Sequence, residues 1–263
     1  MVSKHMKTDS LLAHVHELAT PGVPGFPNWY ANDSEEHFYD HVNQQPVNWY
    51  YRHVPVMYSI NSNGYRCPEW KDVCWRESIV VIGCSVVMGV GVDDIDTLSV
   101  RLEEQLDTPV INLGIGGSSN QLMLYNSLCL IENNIKPKAV VAVFSDPSRV
   151  SIFNEHRAQP VGSWVHDRTL YRPKEEQDFY NFWAGTSNNA DIHGTMSATA
   201  VELAWKSQGV PFLGLQVYGE WCPDMGYQRL TDPVDLARDL QHAGVATQKK
   251  WAKELAPLIR DIL

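Results

Sequence analysis

The sequence predicts an α/β fold, a three-layer flavodoxin-like parallel sheet with helices on both faces. From residue 77 onward, short apolar runs alternate with segments of helical periodicity. The runs are continuously apolar, as in parallel strands that are buried on both faces. Because strand–helix alternation supplies the crossover connections that parallel strands need, the sheet is expected to be parallel.

The predicted elements follow one another along the chain. Strands are expected at "ESIVVIG" (77–83), "TPVINLG" (108–114), "KAVVAVFS" (138–145) and "VPFLGLQV" (210–217). Helices are expected over 93–106, with Ile95, Leu98, Leu102 and Leu106 at helical spacing, over 118–134, opened by a capping serine, and over 197–209. A last helix over 245–262 places an apolar face toward the sheet, made of Trp251, Leu255, Leu258, Ile259 and Ile262.

The chain is interpreted as one main domain with two additions. Residues 1–75 are rich in Pro and aromatic side chains and are expected to wrap over the domain formed by 76–263. Their aromatic rings supply buried area or a stacking platform for a sugar ring. Residues 147–194 are polar and aromatic by turns, and we interpret them as an insertion with one helix near 173–185.

Composition narrows the class of protein. A formal net charge of -10 argues against nucleic acid or an anionic membrane surface as the main partner. No apolar run is long enough to span a membrane, and the first residues lack the apolar core of a signal peptide, so a cytoplasmic location is expected. Five cysteines at irregular spacing favour free thiols. No metal-ligand spacing occurs, and no cofactor is predicted.

Three residues form the candidate catalytic group. Ser85 follows the first predicted strand, and ligands of such sheets bind beyond the carboxyl ends of the strands. A serine hydroxyl needs a neighbouring base to become a nucleophile. Asp239 and His242, in "RDLQHAG", are spaced so that the carboxylate can hold Nδ1–H while Nε2 points outward.

The same residues carry a family resemblance. "GCSVVMG" (83–89) resembles the GDSxxxG block of the SGNH, or GDSL-like, hydrolases, and "INSNGYR" (60–66) is similar to a segment that precedes it in many members. "NLGIGGSS" (112–119) resembles the second block and "DLQH" (239–242) the closing DxxH block. The resemblance implies that Ser85 is the nucleophile, His242 the general base and Asp239 its orienting acid. It also implies an oxyanion hole formed in part by the N–H groups of Ser85 and Gly117.

The first block departs from the family pattern at one position. Cys84 replaces the family's aspartate and is a rival nucleophile. Ser85 is favoured because the preceding residue of a strand points to the opposite face.

The third block departs further. Ser145, followed by Asp146, stands where the family has the asparagine that donates to the oxyanion. Asn120 is a candidate replacement donor, or else a cap of its own helix. Arg149 is a candidate ligand for an anionic substrate group, or else a member of a surface salt bridge.

We therefore predict a serine esterase that acts on small O-acyl groups, such as acetyl, carried by a carbohydrate or another small molecule. Two alternatives stay open at this point. The same three residues would serve an O-acyltransferase, and the altered third block would suit a catalytically inactive binding or structural module. No nucleic acid partner and no membrane span are expected.

Overall fold

The structure, a computed structural model, describes residues 28–153, 158–167, 173–217, 221 and 225–263. Its strands are β1 (Ile79–Gly83), β2 (Val110–Gly114), β3 (Ala139–Phe144), β4 (Val150–Phe153), β5 (Ala158–Val161), β6 (Phe212–Gln216) and β7 (Gln228–Arg229). Five of them form a parallel sheet in the order β2-β1-β3-β6-β7. This order is typical of flavodoxin-like sheets and confirms the predicted fold class.

Helices cover both faces of the sheet. They are α1 (Glu35–Val42), α2 (Ser85–Met88), α3 (Leu98–Leu106), α4 (Asn120–Glu132), α5 (Lys174–Gly185), α6 (Asn189–Ser207) and α7 (Val245–Ile262). Helix α3 packs against α7, and α4 packs against α6. In this strand order β2 lies on one side of β1 and β3 on the other, so the chain reverses its direction across the sheet at β2. Because both crossovers are right-handed, α3 and α4 lie on opposite faces.

The core lies between these layers. Every residue of β1, β2 and β3 is buried, as the continuously apolar runs predicted. Trp251, Leu255 and Ile259 of α7 are buried, and Leu258 and Ile262 pack against the same core. The predicted apolar face of the last helix is therefore confirmed.

Helix α3 begins later than the sequence predicted. The residues Asp94–Asp96 form a 3-10 turn, and the side chain of Ile95 is 63% exposed. The carboxylate of Asp94 instead accepts hydrogen bonds from the N–H of Ser59 (2.9 Å) and from Arg66 Nε (2.6 Å). These contacts with the N-terminal segment outweigh the helical pattern, which reflects only local spacing.

The region 147–194 contains more structure than was predicted. Strands β4 and β5 pair as an antiparallel hairpin, which no alternating pattern indicated, and a 3-10 helix follows at Ser163–His166. Helix α5 confirms the helix expected near 173–185. Helix α6 starts at Asn189, eight residues before the helix predicted over 197–209.

The described part of the N-terminal segment packs under the turn that follows α2. The segment supplies a buried cluster with Met88 and Val90, made of Tyr30, Tyr51, Val56, Tyr58 and Ile60. These aromatic rings therefore provide buried area. Residues 1–27 of the extension lie outside the described residues.

Arg66 ties the same segment to the α2 turn. Its guanidinium donates to the carbonyl oxygens of Met57 (2.6 Å), Gly89 (2.6 Å) and Val92 (2.8 Å), and Nε pairs with Asp94. Arg66 is buried, and these acceptors replace the water that its charge has lost.

The described cysteines carry no disulfide. Cys67, Cys74, Cys84 and Cys129 are free thiols, as predicted for them, while Cys222 lies outside the described residues.

Gly114 permits a close approach of two backbones, and this gives a test of the fold. A Cβ at Gly114 would lie 2.3 Å from the backbone nitrogen of Met88. We expect Gly114→Ala to lower the free energy of unfolding by at least about 2 kcal/mol, because neither backbone can move aside freely. Gly185→Ala is the matched control, since a Cβ there meets nothing within 4 Å. Urea unfolding midpoints measure both, and equal midpoints for the two variants would contradict the packing.

Candidate active site

The structure brings Ser85, His242 and Asp239 into one hydrogen-bonded chain. Ser85 Oγ lies 2.8 Å from His242 Nε2, and His242 Nδ1 lies 2.5 Å from Asp239 Oδ2. With the proton on Nδ1, the imidazole donates to the carboxylate and Nε2 accepts from the serine hydroxyl. This is the geometry of a serine hydroxyl beside an oriented base.

Asp239 is held by the backbone of its own loop. Its Oδ1 accepts from the N–H groups of Gln241 (3.1 Å) and His242 (3.0 Å). Leu240 has a φ of 57°, and this left-handed residue turns the chain so that both N–H groups face the carboxylate. A spacing of three residues is thus sufficient to orient the ring.

The charge of Asp239 is stabilised in place. Burial by itself raises the pKa of the carboxyl, but the hydrogen bond and charge of His242 and the two backbone N–H groups outweigh it. The pKa of Asp239 therefore lies below its ordinary value, and the group is a carboxylate at neutral pH.

Ser85 opens α2, directly beyond the end of β1. Cys84 immediately before it has an extended backbone and belongs to the hydrophobic core, where it has no exposed surface. The two neighbouring side chains therefore have different surroundings, although strand alternation is not the reason, because β1 ends at Gly83 and Ser85 is already helical. Of the two rival nucleophiles, Ser85 is the one that contacts the imidazole.

Two backbone N–H groups near the serine are candidates for an oxyanion hole. Gly83 and Gly114 are partners in the parallel register, so the turns carrying Ser85 and Gly117 leave the sheet side by side. Ser85 is the first residue of its helix, and its N–H has no acceptor one turn back. Within the described part of the chain, neither N–H donates a hydrogen bond.

Asn120 bonds to the end of β3. Its Oδ1 accepts from the N–H (3.0 Å) and the hydroxyl (3.2 Å) of Ser145, and its Nδ2 donates to the Ser145 carbonyl (3.3 Å). Ser119, not Asn120, caps α4. The second N–H of Asn120 Nδ2 is the one that the predicted oxyanion role would use.

Asp146, which follows Ser145 in the chain, forms a tight turn. Its Oδ1 accepts a 2.8 Å hydrogen bond from the N–H of Ser148. Together with the bonds between Ser145 and Asn120, this contact orders residues 145–148.

The hairpin region supplies three residues that the sequence did not single out, Pro160, Gly162 and Trp164, and the predicted Arg149 lies beside them. A Cβ on Gly117 would lie 3.4 Å from Pro160 Cγ and 3.5 Å from the ring of Trp164, and both of these residues are half-buried. Gly162 lets the Trp164 ring fold back, since a Cβ there would lie 2.4 Å from it. Arg149 is half-buried, with its guanidinium carbon 5.3 Å from the centroid of the same ring. Gly117 and Arg149 are distant in sequence from Trp164, so no local pattern predicts that they lie beside its ring.

Two features are missing from the described residues. No helix among them combines the length and apolar character needed to cross a bilayer. In that same part of the chain, no three His, Cys, Asp or Glu side chains cluster in a way that could hold a metal ion.

Comparison with known proteins finds likeness in solved structures only; no protein-family model and no curated protein matches the chain. A protein from Desulfitobacterium hafniense DCB-2, described as a candidate lipolytic protein of the G-D-S-L family, is 12% identical over 70% of this chain and 99% of its own, with a TM-score of 0.40. AlinE4, an SGNH-hydrolase family esterase, is 12% identical over 73% of this chain and 99% of its own, with a TM-score of 0.40.

A third similar structure is a family two carbohydrate esterase from Clostridium thermocellum, in complex with cellohexaose. It is 10% identical over 70% of this chain and 64% of its own, with a TM-score of 0.42. Two of these three structures carry the name of the family that the sequence motifs resemble. Likeness at this level carries no argument about activity.

The ionised state of Asp239 gives a test that needs no substrate. Since the folded pKa is lowered, the carboxylate stabilises the fold above the unfolded pKa of about 3.9, and this stabilisation disappears as pH falls through the folded pKa. We expect the difference in free energy of unfolding between wild type and Asp239→Asn to be largest near pH 6. It should shrink steadily below about pH 4. Urea titrations from pH 2.5 to 6 measure it, and a difference independent of pH would contradict the assignment.

Proposed function

We propose that the protein hydrolyses esters through an acyl intermediate on Ser85. The observation that carries the proposal is the hydrogen-bonded chain from Ser85 Oγ through His242 to Asp239. Ser85 Oγ attacks the ester carbonyl while its proton passes to His242 Nε2. The imidazolium then protonates the departing alcohol. In the second half, His242 takes a proton from water, which attacks the acyl group and releases Ser85.

Asp239 acts through His242 in this scheme. A carboxylate with a lowered pKa stays charged beside the ring, keeps the proton on Nδ1 and stabilises the imidazolium as it forms. The burial of Asp239 strengthens the interaction because little water competes for the carboxylate.

The oxyanion would be stabilised by the N–H groups of Ser85 and Gly117. Asn120 Nδ2 is proposed as the third donor, in place of the asparagine that Ser145 replaces. The hydroxyl of Ser145 already donates to Asn120 Oδ1, which supports the view that Ser145 orders the donor instead of being one. An oxyanion donor typically contributes about a hundred- to a thousandfold in rate.

A small acyl group on a carbohydrate is proposed as the substrate. Pro160 and Trp164 stand beside Gly117, where an acyl carbonyl would bind, and their bulk supports a short acyl chain. An indole face also suits the apolar face of a sugar ring. Arg149, next to that ring, is a candidate for holding an anionic group of the substrate.

Fluorophosphonate labelling tests the nucleophile. We expect one adduct on Ser85 of the wild type, mapped by mass spectrometry, and none in Ser85→Ala or His242→Ala. Hydrolysis of acetyl esters should fall by at least about ten-thousandfold in both variants. Cys84→Ala is the matched control and should keep the adduct, because the thiol is buried in the core.

The outcomes separate the classes of function. An unlabelled wild type that binds ester analogues without turnover would indicate a catalytically inactive binding module. A labelled protein that releases the acyl group only when an acceptor alcohol is present would indicate an acyltransferase. Either result would overturn the hydrolase proposal.

The size of the acyl site is tested by Trp164→Ala. Removing the ring beside Gly117 should raise kcat/KM for hexanoyl esters relative to acetyl esters by at least about tenfold, since each accommodated methylene contributes a factor of that order. Phe182→Ala, in the same region but 76% exposed, should leave the ratio unchanged. An unchanged ratio in Trp164→Ala would place the acyl group elsewhere.

A further inference from the structure

A buried ion pair joins the N-terminal segment to the residue before Asp239. Arg238 Nε lies 2.8 Å from Asp33 Oδ1, and Arg238 Nη2 lies 2.8 Å from Oδ2, so the contact is bidentate. Asp33 is 1% exposed and Arg238 is 6% exposed. The guanidinium also covers the indole of Trp29, with its central carbon 3.9 Å from the ring centroid. Both charged groups are thus removed from water and make specific contacts within the protein instead.

The pair belongs to a closed cycle of hydrogen bonds. The N–H of Arg238 donates to the carbonyl of Gly91 (3.0 Å), and the N–H of Gly91 donates to the hydroxyl of Tyr58 (2.8 Å). The Tyr58 hydroxyl donates in turn to Asp33 Oδ2. Gly91 lies in the turn that follows α2, so the cycle connects the Ser85 turn with the loop that carries Asp239.

Gly91 also lies close to the acid itself. A Cβ at Gly91 would lie 3.2 Å from Asp239 Oδ1 and 2.7 Å from the side chain of Ala237. The two turns therefore approach each other so closely at Gly91 that no side chain fits between them without a shift.

The far side of the Asp239 loop is fixed separately. The carboxylate of Asp235 accepts from the N–H groups of Ala246 and Thr247 at the start of α7 (2.9 and 2.8 Å), and the N–H of Ala237 donates to the carbonyl of His242 (2.8 Å). These bonds anchor the loop to α7 and to itself. None of these bonds reaches the turn that follows α2. The contacts of Arg238 do reach it.

We propose, on the basis of the function proposed above, that Asp33 and Arg238 are positioning residues for the Ser85–His242 contact. Their bidentate pair sets the separation between the turn after Ser85 and the Asp239–His242 loop, so the N-terminal segment is part of the catalytic apparatus. A buried ion pair is weak evidence for stability but is well suited to specifying one arrangement. The Ser85–His242 hydrogen bond requires such specification, because a displacement of about 1 Å at a reacting group can cost a hundredfold in rate.

The test compares Asp33→Asn with Asp96→Asn in the full chain. Asp96 is equally buried, pairs with Arg101 and accepts a hydrogen bond from the hydroxyl of Tyr50 (3.2 Å), but it lies in the 3-10 turn before α3 and is not a member of the cycle. Both variants lose one carboxylate and keep the side-chain size. We expect kcat for an acetyl ester to fall about ten- to a hundredfold in Asp33→Asn, with KM within about twofold of wild type, and to be unchanged in Asp96→Asn.

A second readout does not depend on catalysis. The Nδ1 proton of an imidazole bonded to a carboxylate gives a proton resonance far downfield of the amides, and His242→Ala assigns it. We expect the resonance in wild type and Asp96→Asn, and its broadening or loss in Asp33→Asn. Tyr58→Phe, which removes only one hydroxyl from the cycle, should act in the same direction if Asp33→Asn does not fold.

The outcomes are separable. A wild type without esterase activity overturns the proposed function, while the resonance still decides whether Asp33 positions His242. An active wild type with an unchanged kcat and an unchanged resonance in Asp33→Asn and Tyr58→Phe overturns the positioning role alone. Equal losses of kcat in Asp33→Asn and Asp96→Asn would show that the loss comes from general destabilisation. That result would also overturn the positioning role.

Discussion

The candidate site depends on how closely helix α2 approaches the end of β2. Gly83 and Gly114 are register partners in the parallel sheet, and a Cβ at Gly114 would meet the backbone of Met88 at 2.3 Å. Because glycine leaves this space free, the first turn of α2 lies directly on the next strand. Ser85 is thereby fixed at the carboxyl edge of the sheet, beside the turn that carries Gly117. Every other contact of the site is arranged around that position.

Two buried guanidinium groups then connect the N-terminal segment to this edge. Arg66 bonds to the carbonyl oxygens of the turn after α2 and pairs with Asp94, while Arg238 pairs with Asp33 beside Asp239. Charges buried in this way are costly unless they are paired and hydrogen-bonded, and here each has a carboxylate and backbone acceptors. Such contacts tolerate little displacement, so they define where the two turns stand relative to each other. The described N-terminal residues are therefore integral to the site.

The end of β3 is bonded to the first residue of α4. The hydroxyl and the backbone of Ser145 bond to the side chain of Asn120. The carboxamide of Asn120 thus bonds to the backbone N–H and carbonyl at the end of β3, as a peptide group would. It keeps one N–H that no bond to Ser145 uses. In the proposed mechanism this N–H is the third donor to the oxyanion.

The sequence alone predicted four of the five strands of the sheet (β1, β2, β3 and β6), the serine beyond β1 and the Asp239–His242 unit, but not the two-residue strand β7. All of these rest on local information, namely apolar runs, a strand-to-helix turn and two side chains three residues apart. The folded chain was needed to show that His242 meets Ser85, 157 residues away, and that Asp33 pairs with Arg238 across 205 residues. It also showed that Ile95 is exposed and that β4 and β5 form a hairpin beside Gly117. Such pairings depend on packing between distant segments, and local periodicity carries no record of which distant segment a residue will meet.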